Sequence, residues 1–484
     1  MGAATSQLAG RVSGSAGVSS RWATLLGALA AAATAAGCGA ELISPLSGDK
    51  PVPVAFDPLA YDEAMDPEYE RRAAAGESHV LYARSPGGVA ATARRVERLR
   101  ALVELAASGG EVDPDLLEAM VFLESAGRPD AIAGNDPEAA SGLTQILAET
   151  GQSLLGMRID LAASRRLTRR YRLELRRGHP RAAARALAAR RRVDERFVPA
   201  RALAATVRYL GIARERLGRD DLAVVSYHMG IGNLSGALAA YGGDQPSYAR
   251  LYFDSSPLRN ADAWEILDSL GDDSATYYWR VLAAREIMRL HREDPEELAR
   301  LALAHAAKGS AEEVLHPRAE AATFAEPADI ARARAEGDLV ALPGPSRLGM
   351  RPDPRLGELA PRVGQRRALY LALRPQAVSV AAYFGRAVRE ISGHREPLIL
   401  TSAVRDQTYQ DLLAAGNPEA TQGYSLHTTG FAFDIRRRYR SPAQGRALQF
   451  VLDRFETLNL IAWVREPGAI HVTVARDALV DPAR

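Results

Sequence analysis

Two places in this 484-residue chain carry side chains whose types and spacing could break bonds. The first is Glu124, in "DPDLLEAMVFLESAGRP". Leu117, Met120 and Val121 recur at helical spacing, and three or four positions beyond them lies Glu124, so a carboxylate ends an apolar face. Burial disfavours the charged form, and so does the negative end of a helix dipole. Both push the group toward the neutral acid near pH 7, the property of a general acid that protonates a leaving oxygen. On local sequence alone, a capping role or an ion pair with Arg128 is an equal reading. The second place is "SLHTTGFAFD" taken together with "AIHVTV". Strand alternation sends Phe431, Phe433 and Ile435 to one face and Ala432 and Asp434 to the other. It sends Ile470, Val472 and Val474 inward and His471 outward. If these strands are neighbours, Asp434 and His471 project from one side of a sheet, with His427 reaching in from the preceding loop. Two imidazoles and one carboxylate form a catalytic zinc set that leaves the fourth position to water. Taken singly, a histidine at a strand entrance is more often structural.

Positioning these groups requires two kinds of architecture. Glu124 needs a helix with Asp113 as cap, Pro114 at its first position and Gly127 as terminator. From about 91 to 307 the pattern is helical throughout, with no convincing strand. Prolines and glycines recur between 315 and 354, which reads as a linker with a short helix around Ile330. After Pro361 one helix, roughly 377 to 391, precedes the apolar runs "PLILTSAV", "GFAFDI" and "AIHVTV", an α+β pattern. No internal repeat is visible. The expectation is a multidomain chain, with an all-α domain over 96–307, a linker over 308–360 and a smaller α+β domain over 361–484. The strongly basic stretch 165–196 reads as a solvated helix face, with attraction to an anionic polymer or membrane surface as the alternative.

Composition is that of a globular protein, with 47% hydrophobic and 25% charged residues, and the net charge of +2 argues against a dedicated nucleic-acid binder. Near the N-terminus Arg11 and Arg21 flank or precede an apolar run from Trp22 to Ala36 that ends in "AAGC". This layout resembles a bacterial lipoprotein signal over 1–37, with Cys38 as the lipidated first residue. A plain signal peptide with an incidental cysteine is the alternative. The expectation is an envelope protein, anchored by lipid in the outer membrane and facing the periplasm, with 38–95 as a tether. Cys38 is the only cysteine, so intramolecular disulfides are excluded.

The neighbourhood of Glu124 weighs against a mere cap. "ESAGRPDAIAGNDPEAASGLTQI", then "FVPARALAATVRYL", then "AVVSYHMGIGNL", resembles in ordered motifs the lytic transglycosylases of the lysozyme-like superfamily. The resemblance spans roughly 98 to 243. It implies that Glu124 is first the acid and then the base, and that Ser125, Gln145 and Tyr227 orient it or the sugar. It also implies cleavage of the peptidoglycan glycan strand without a carboxylate nucleophile, the substrate's own hydroxyl closing an anhydro ring. Thr144 and the pair His228 and Met229 depart from the family pattern. A lysozyme-type hydrolase is the nearest alternative.

The later stretch, with "TSAVRDQTYQ" upstream and "WVREPGAIHV" downstream, resembles the zinc D-alanyl-D-alanine carboxypeptidases and their endopeptidase relatives over about 376 to 475. That resemblance implies one zinc ion held by His427, Asp434 and His471, and Glu466 as the base. It further implies Arg405 on a peptide carboxylate and Ser425 on the peptide backbone. Glu466 stands five positions before His471, farther than in close relatives, so a surface carboxylate is the alternative. The two resemblances point to one polymer, with glycan strands and peptide stems as partners. A wall-binding scaffold with one or both sites inactive is the rival of another class.

Overall fold

The computed structural model describes residues 57–110, 112–307, 310–416, 421 and 423–478. The expected signal segment, Cys38 and the start of the tether lie outside them. Helices dominate the described chain and the strands follow residue 339, in a small sheet region toward the C-terminus. No described helix is long and apolar enough to cross a membrane.

The helix carrying the first candidate spans Pro114–Ser125. The Asp113 carboxylate accepts from the Asp115 amide at 2.9 Å, and Pro114 occupies the first turn, where its missing N–H costs nothing. Gly127 ends the helix as expected, its amide donating to the Val121 carbonyl at 3.4 Å. Ala126 already adopts the left-handed conformation (φ 55°), and Gly127 follows it. Leu117, Met120 and Val121 are fully buried, and the helix packs against Tyr277–Glu293.

The C-terminal part holds a five-stranded sheet in the order Met350–Pro352, Leu398–Ser402, Ala432–Arg436, Ala469–Val474, Ile461–Arg465. The first pair is parallel and the others antiparallel. The register sets Asp434 directly opposite His471, so the two side chains leave the sheet on one face. On the opposite face Phe433, Ile435, Ile470 and Val472 are buried, with Phe384 and Phe455 of helices Pro375–Ser392 and Pro442–Thr457 in the same core.

The structure differs from the expected tether over 38–95 and linker over 308–360. Residues in the first form helices Asp66–Gly76, His79–Arg84 and Val89–Glu97. The second holds helices Glu312–Leu315 and Pro327–Glu336 and supplies the edge strand Met350–Pro352. Pro327, taken as part of a linker, stands in the first turn of Pro327–Glu336, where it starts a helix, as Pro67 does in Asp66–Gly76. One apolar cluster runs from Tyr69 to Ala478, so the helical and sheet parts share a core. The buried Arg454 guanidinium joins them, donating to the carbonyls of Phe253 (3.0 Å) and Ser255 (2.9 Å). At Gly76 the first helix lies so close that a Cβ would stand 2.2 Å from the Glu456 carbonyl oxygen.

The basic stretch forms a helical hairpin, Leu161–Arg176 and Pro180–Val193. It is not solvated throughout. Arg190 is buried against Asp130 (3.0 Å), and Arg196 is buried with Asp194 (2.8 Å) while donating to the Ile146 carbonyl. These two arginines bind the 128–146 loop, Arg190 through Asp130 and Arg196 through the Pro137, Ala139 and Ile146 carbonyls.

Candidate active sites

Two glutamates lie on the Pro114–Ser125 helix toward the core, and their partners separate their roles. Glu118 is fully buried between Arg292 (2.6 Å) and Arg100 (3.2 Å), which compensate its charge. Glu124 is partly buried, and its Oε1 accepts from the neutral Tyr277 hydroxyl at 2.7 Å. Burial pushes the Glu124 carboxyl up to about 7, the charge of Asp273 adds to the rise, and the Tyr277 hydrogen bond opposes it. The ion pair with Arg128 is not formed. Arg128 turns its Nε to the Ser125 carbonyl at 3.0 Å.

The other expected residues gather around the same helix end with different partners. Ser125 is buried, its hydroxyl donating to the Val121 carbonyl (3.3 Å) and accepting the Arg128 amide (3.2 Å), so it closes the helix. The Gly142–Gln145 turn requires glycine at its start. Gly142 has φ +86°, and a Cβ there would lie 1.9 Å from the Arg196 carbonyl oxygen. Gln145 itself has φ +52°, a strained value for a non-glycine residue, and its amide donates to the Gly142 carbonyl at 2.8 Å. The Tyr227 hydroxyl donates to the Thr144 carbonyl at 2.7 Å. Burial and the negative charge of Glu124 both push this phenol up.

Tyr277 was not among the expected residues. It touches Glu124 from a position 153 residues later, and its ring stacks on His228 with centroids 5.1 Å apart. The departure at His228 therefore builds a wall behind the residue that holds the acid. His228, Asp272 and Asp273 also lie close enough together to share an ion, but all three are exposed. Asp272 caps Ser274, and Asp273 pairs with Arg280. A cavity of about 650 Å³ between the helical part and the Pro442–Thr457 helix includes Asp273 and Arg280 in its wall but neither Glu124 nor the sheet histidines.

On the sheet, His427, Asp434 and His471 offer three ligand atoms that all lie within 4.8 Å of one another. His427 stands in the short helix Leu426–Thr429 ahead of the strand, all of it buried. Asp434 Oδ1 is 3.2 Å from His427 Nε2 and 2.8 Å from His471 Nδ1, so both imidazoles converge on one carboxylate oxygen. The outward nitrogens are engaged as well. His427 Nδ1 faces the Ala403 carbonyl at 2.9 Å, and His471 Nε2 faces Glu312 Oε1 at 2.8 Å. Burial, followed by the charge of Arg405, lowers His427 to about 4, so its imidazole is neutral at pH 7. Burial also acts to lower His471, but the hydrogen bonds to Asp434 and Glu312 outweigh it and raise the group to about 10, so a cation taking Nδ1 would displace the proton that Nδ1 shares with Asp434. Burial raises Asp434, yet the two imidazoles hold it well below the usual carboxylate range. The donor set suits a divalent cation that prefers nitrogen and carboxylate ligands: two fixed imidazoles and one ionised carboxylate, each oriented by an outer hydrogen bond.

Arg405, Asp434 and Glu466 line one cavity of about 380 Å³ beside this group. The Arg405 guanidinium is held by Gln410 (2.9 Å), Ser402 (2.5 Å) and Asp434 Oδ2 (3.4 Å). Glu466 is half-buried in the turn joining the last two strands. Burial pushes its carboxyl up, with the charge of Asp434 adding to the rise. Ser425 is buried at the start of the Leu426–Thr429 turn, its carbonyl accepting from the Thr428 hydroxyl at 2.6 Å. Glu312 was missed because it lies in the stretch read as linker.

Compared with family models and with curated proteins, the chain matches none.

Proposed function

We propose that this chain is a bifunctional peptidoglycan hydrolase, with an all-α, lysozyme-like half that cuts glycan strands and an α+β half that is a zinc peptidase acting on D-alanyl bonds of the stems. The observation that carries the reading is the convergence of His427 Nε2 and His471 Nδ1 on Asp434 Oδ1, beside a cavity that holds an arginine and a half-buried glutamate.

In the first half Glu124 is poised as a neutral acid near pH 7. It donates its proton to the glycosidic oxygen while Tyr277 holds Oε1 and fixes the carboxyl plane. The resulting carboxylate then accepts a proton from the substrate's own hydroxyl as the anhydro ring closes. Gln145 and Tyr227 shape the floor beside it, and Ser125 acts through the helix end.

In the second half, zinc bound by His427, Asp434 and His471 would polarise the scissile carbonyl and activate water. Arg405 presents a planar fork to a peptide carboxylate, its orientation set by Gln410 and Ser402. Glu466 takes a proton from water and passes it to the leaving amine. The envelope location and lipid anchor at Cys38 belong to the same proposal, which keeps cutting close to the wall.

A second reading of the first half has a specific observation in its favour. Asp273 is near enough to act on Glu124 electrostatically, and a lysozyme-type hydrolase needs a second carboxylate. Asp273 is paired with Arg280, which favours a structural role for it. Mass spectrometry of digested sacculi separates the two, because the lytic route leaves anhydro ends and hydrolysis leaves reducing ends. Glu124→Gln is expected to abolish glycan cutting and spare peptide cutting, and His427→Ala to do the reverse with loss of zinc. If neither variant alters sacculus digestion, the chain is a wall-binding scaffold and the enzymatic reading is wrong.

A further inference from the structure

Resting on the metal reading above, we infer that Glu312 is the outer carboxylate of the zinc site, a positioning residue that grips His471 Nε2 and turns Nδ1 toward the ion. Glu312 opens the short helix Glu312–Leu315, in the stretch that connects the helical part to the sheet. It is almost wholly buried, at 3% exposure, where an ionised carboxylate is costly without partners of matching chemistry. Its Oε1 lies 2.8 Å from His471 Nε2 and accepts the Thr473 hydroxyl at 2.9 Å, while Oε2 accepts the Ser310 hydroxyl at 2.9 Å.

The two imidazoles are thus braced unequally. His427 donates its outer N–H to a neutral carbonyl, that of Ala403. His471 donates to a carboxylate, which increases its electron donation toward a cation and fixes both tautomer and ring rotation. A glutamate with only a packing role would be served by Thr473 and Ser310 alone. The imidazole contact is the one that reaches the ligand set. Its origin matters too: the helix Glu312–Leu315 packs on strands Ile461–Arg465 and Ala469–Val474, so the connecting stretch completes the metal centre.

The test uses the full-length chain and zinc as the probe, with affinity measured by competition against a chromophoric chelator at pH 7.5. Glu312→Gln preserves the side-chain shape and one accepting oxygen. It is expected to weaken zinc binding about 10- to 100-fold while the zinc-depleted variant still unfolds in a single cooperative transition. Equal affinity in the variant and the parent overturns the inference and leaves the three-ligand site standing. Absence of zinc binding by the parent overturns the site and the inference together. Should the variant fail to fold, nitrogen-15 spectra of the zinc-loaded parent decide, assigned with His471→Gln. A protonated Nε2 and a ligated Nδ1 on His471 support the inference, and the reverse tautomer overturns it.

Discussion

Replacing Glu124 by Gln should stabilise the protein while removing its glycan-cutting activity, and the gain should depend on pH. The Glu124 carboxyl is raised from 4.5 to about 7 in the folded chain, chiefly by burial. Below about pH 4.5 it is protonated in both the folded and unfolded states and contributes no difference. Between 4.5 and 7 the folded state binds more protons than the unfolded one, so stability declines as pH rises through this window and levels off above it. A displacement of this size corresponds to about 3 kcal/mol. Because the Glu124 side chain as a whole is only partly buried, solvent screening brings the expected cost to about 1–2 kcal/mol. Glutamine has nearly the shape of the protonated acid and cannot ionise. Urea denaturation of Glu124→Gln and the parent should therefore agree at pH 4.5 and diverge by about 1–2 kcal/mol at pH 8.5, with the variant more stable. A difference that is absent at pH 8.5, or equally large at both values, would refute the account of a neutral acid held in a poorly solvated site.

Tyr277→Phe removes the hydroxyl that favours the Glu124 anion. Losing a hydrogen bond to a charged group, about 1.5–3 kcal/mol, should move the alkaline limb of glycan cutting upward by roughly one to two pH units. A pH–rate profile on sacculi reads this shift, and a limb that stays or moves down contradicts the assigned contact. Arg454→Met should destabilise the chain by about 3 kcal/mol or more in urea titrations, because two buried carbonyls lose their donor where the helical and sheet parts meet. Independent unfolding of two halves in the parent would contradict the shared core.

Local periodicity made part of each candidate site legible. The 3.6-residue stripe of Leu117, Met120 and Val121 located Glu124 at the end of a buried face, and all three are buried. Two-residue alternation put Asp434 and His471 on the faces where they are found. Both patterns arise from the backbone of a single element, so a few neighbouring residues suffice to reveal them.

What periodicity does not encode is which elements meet. Adjacency of the strands bearing Asp434 and His471 depends on packing across the whole domain. So does the arrival of Tyr277 at Glu124 from 153 residues away, and that of Glu312 at His471 from a stretch rich in proline. Arg190 and Arg196 read as solvent-facing because a charge run has the same composition whether its members face water or a buried aspartate. The prolines of 308–360 misled for a related reason. Proline ends a helix when it falls inside one and starts a helix when it falls in the first turn, and only long-range burial, as at Ile330 and Leu339, selects between the two.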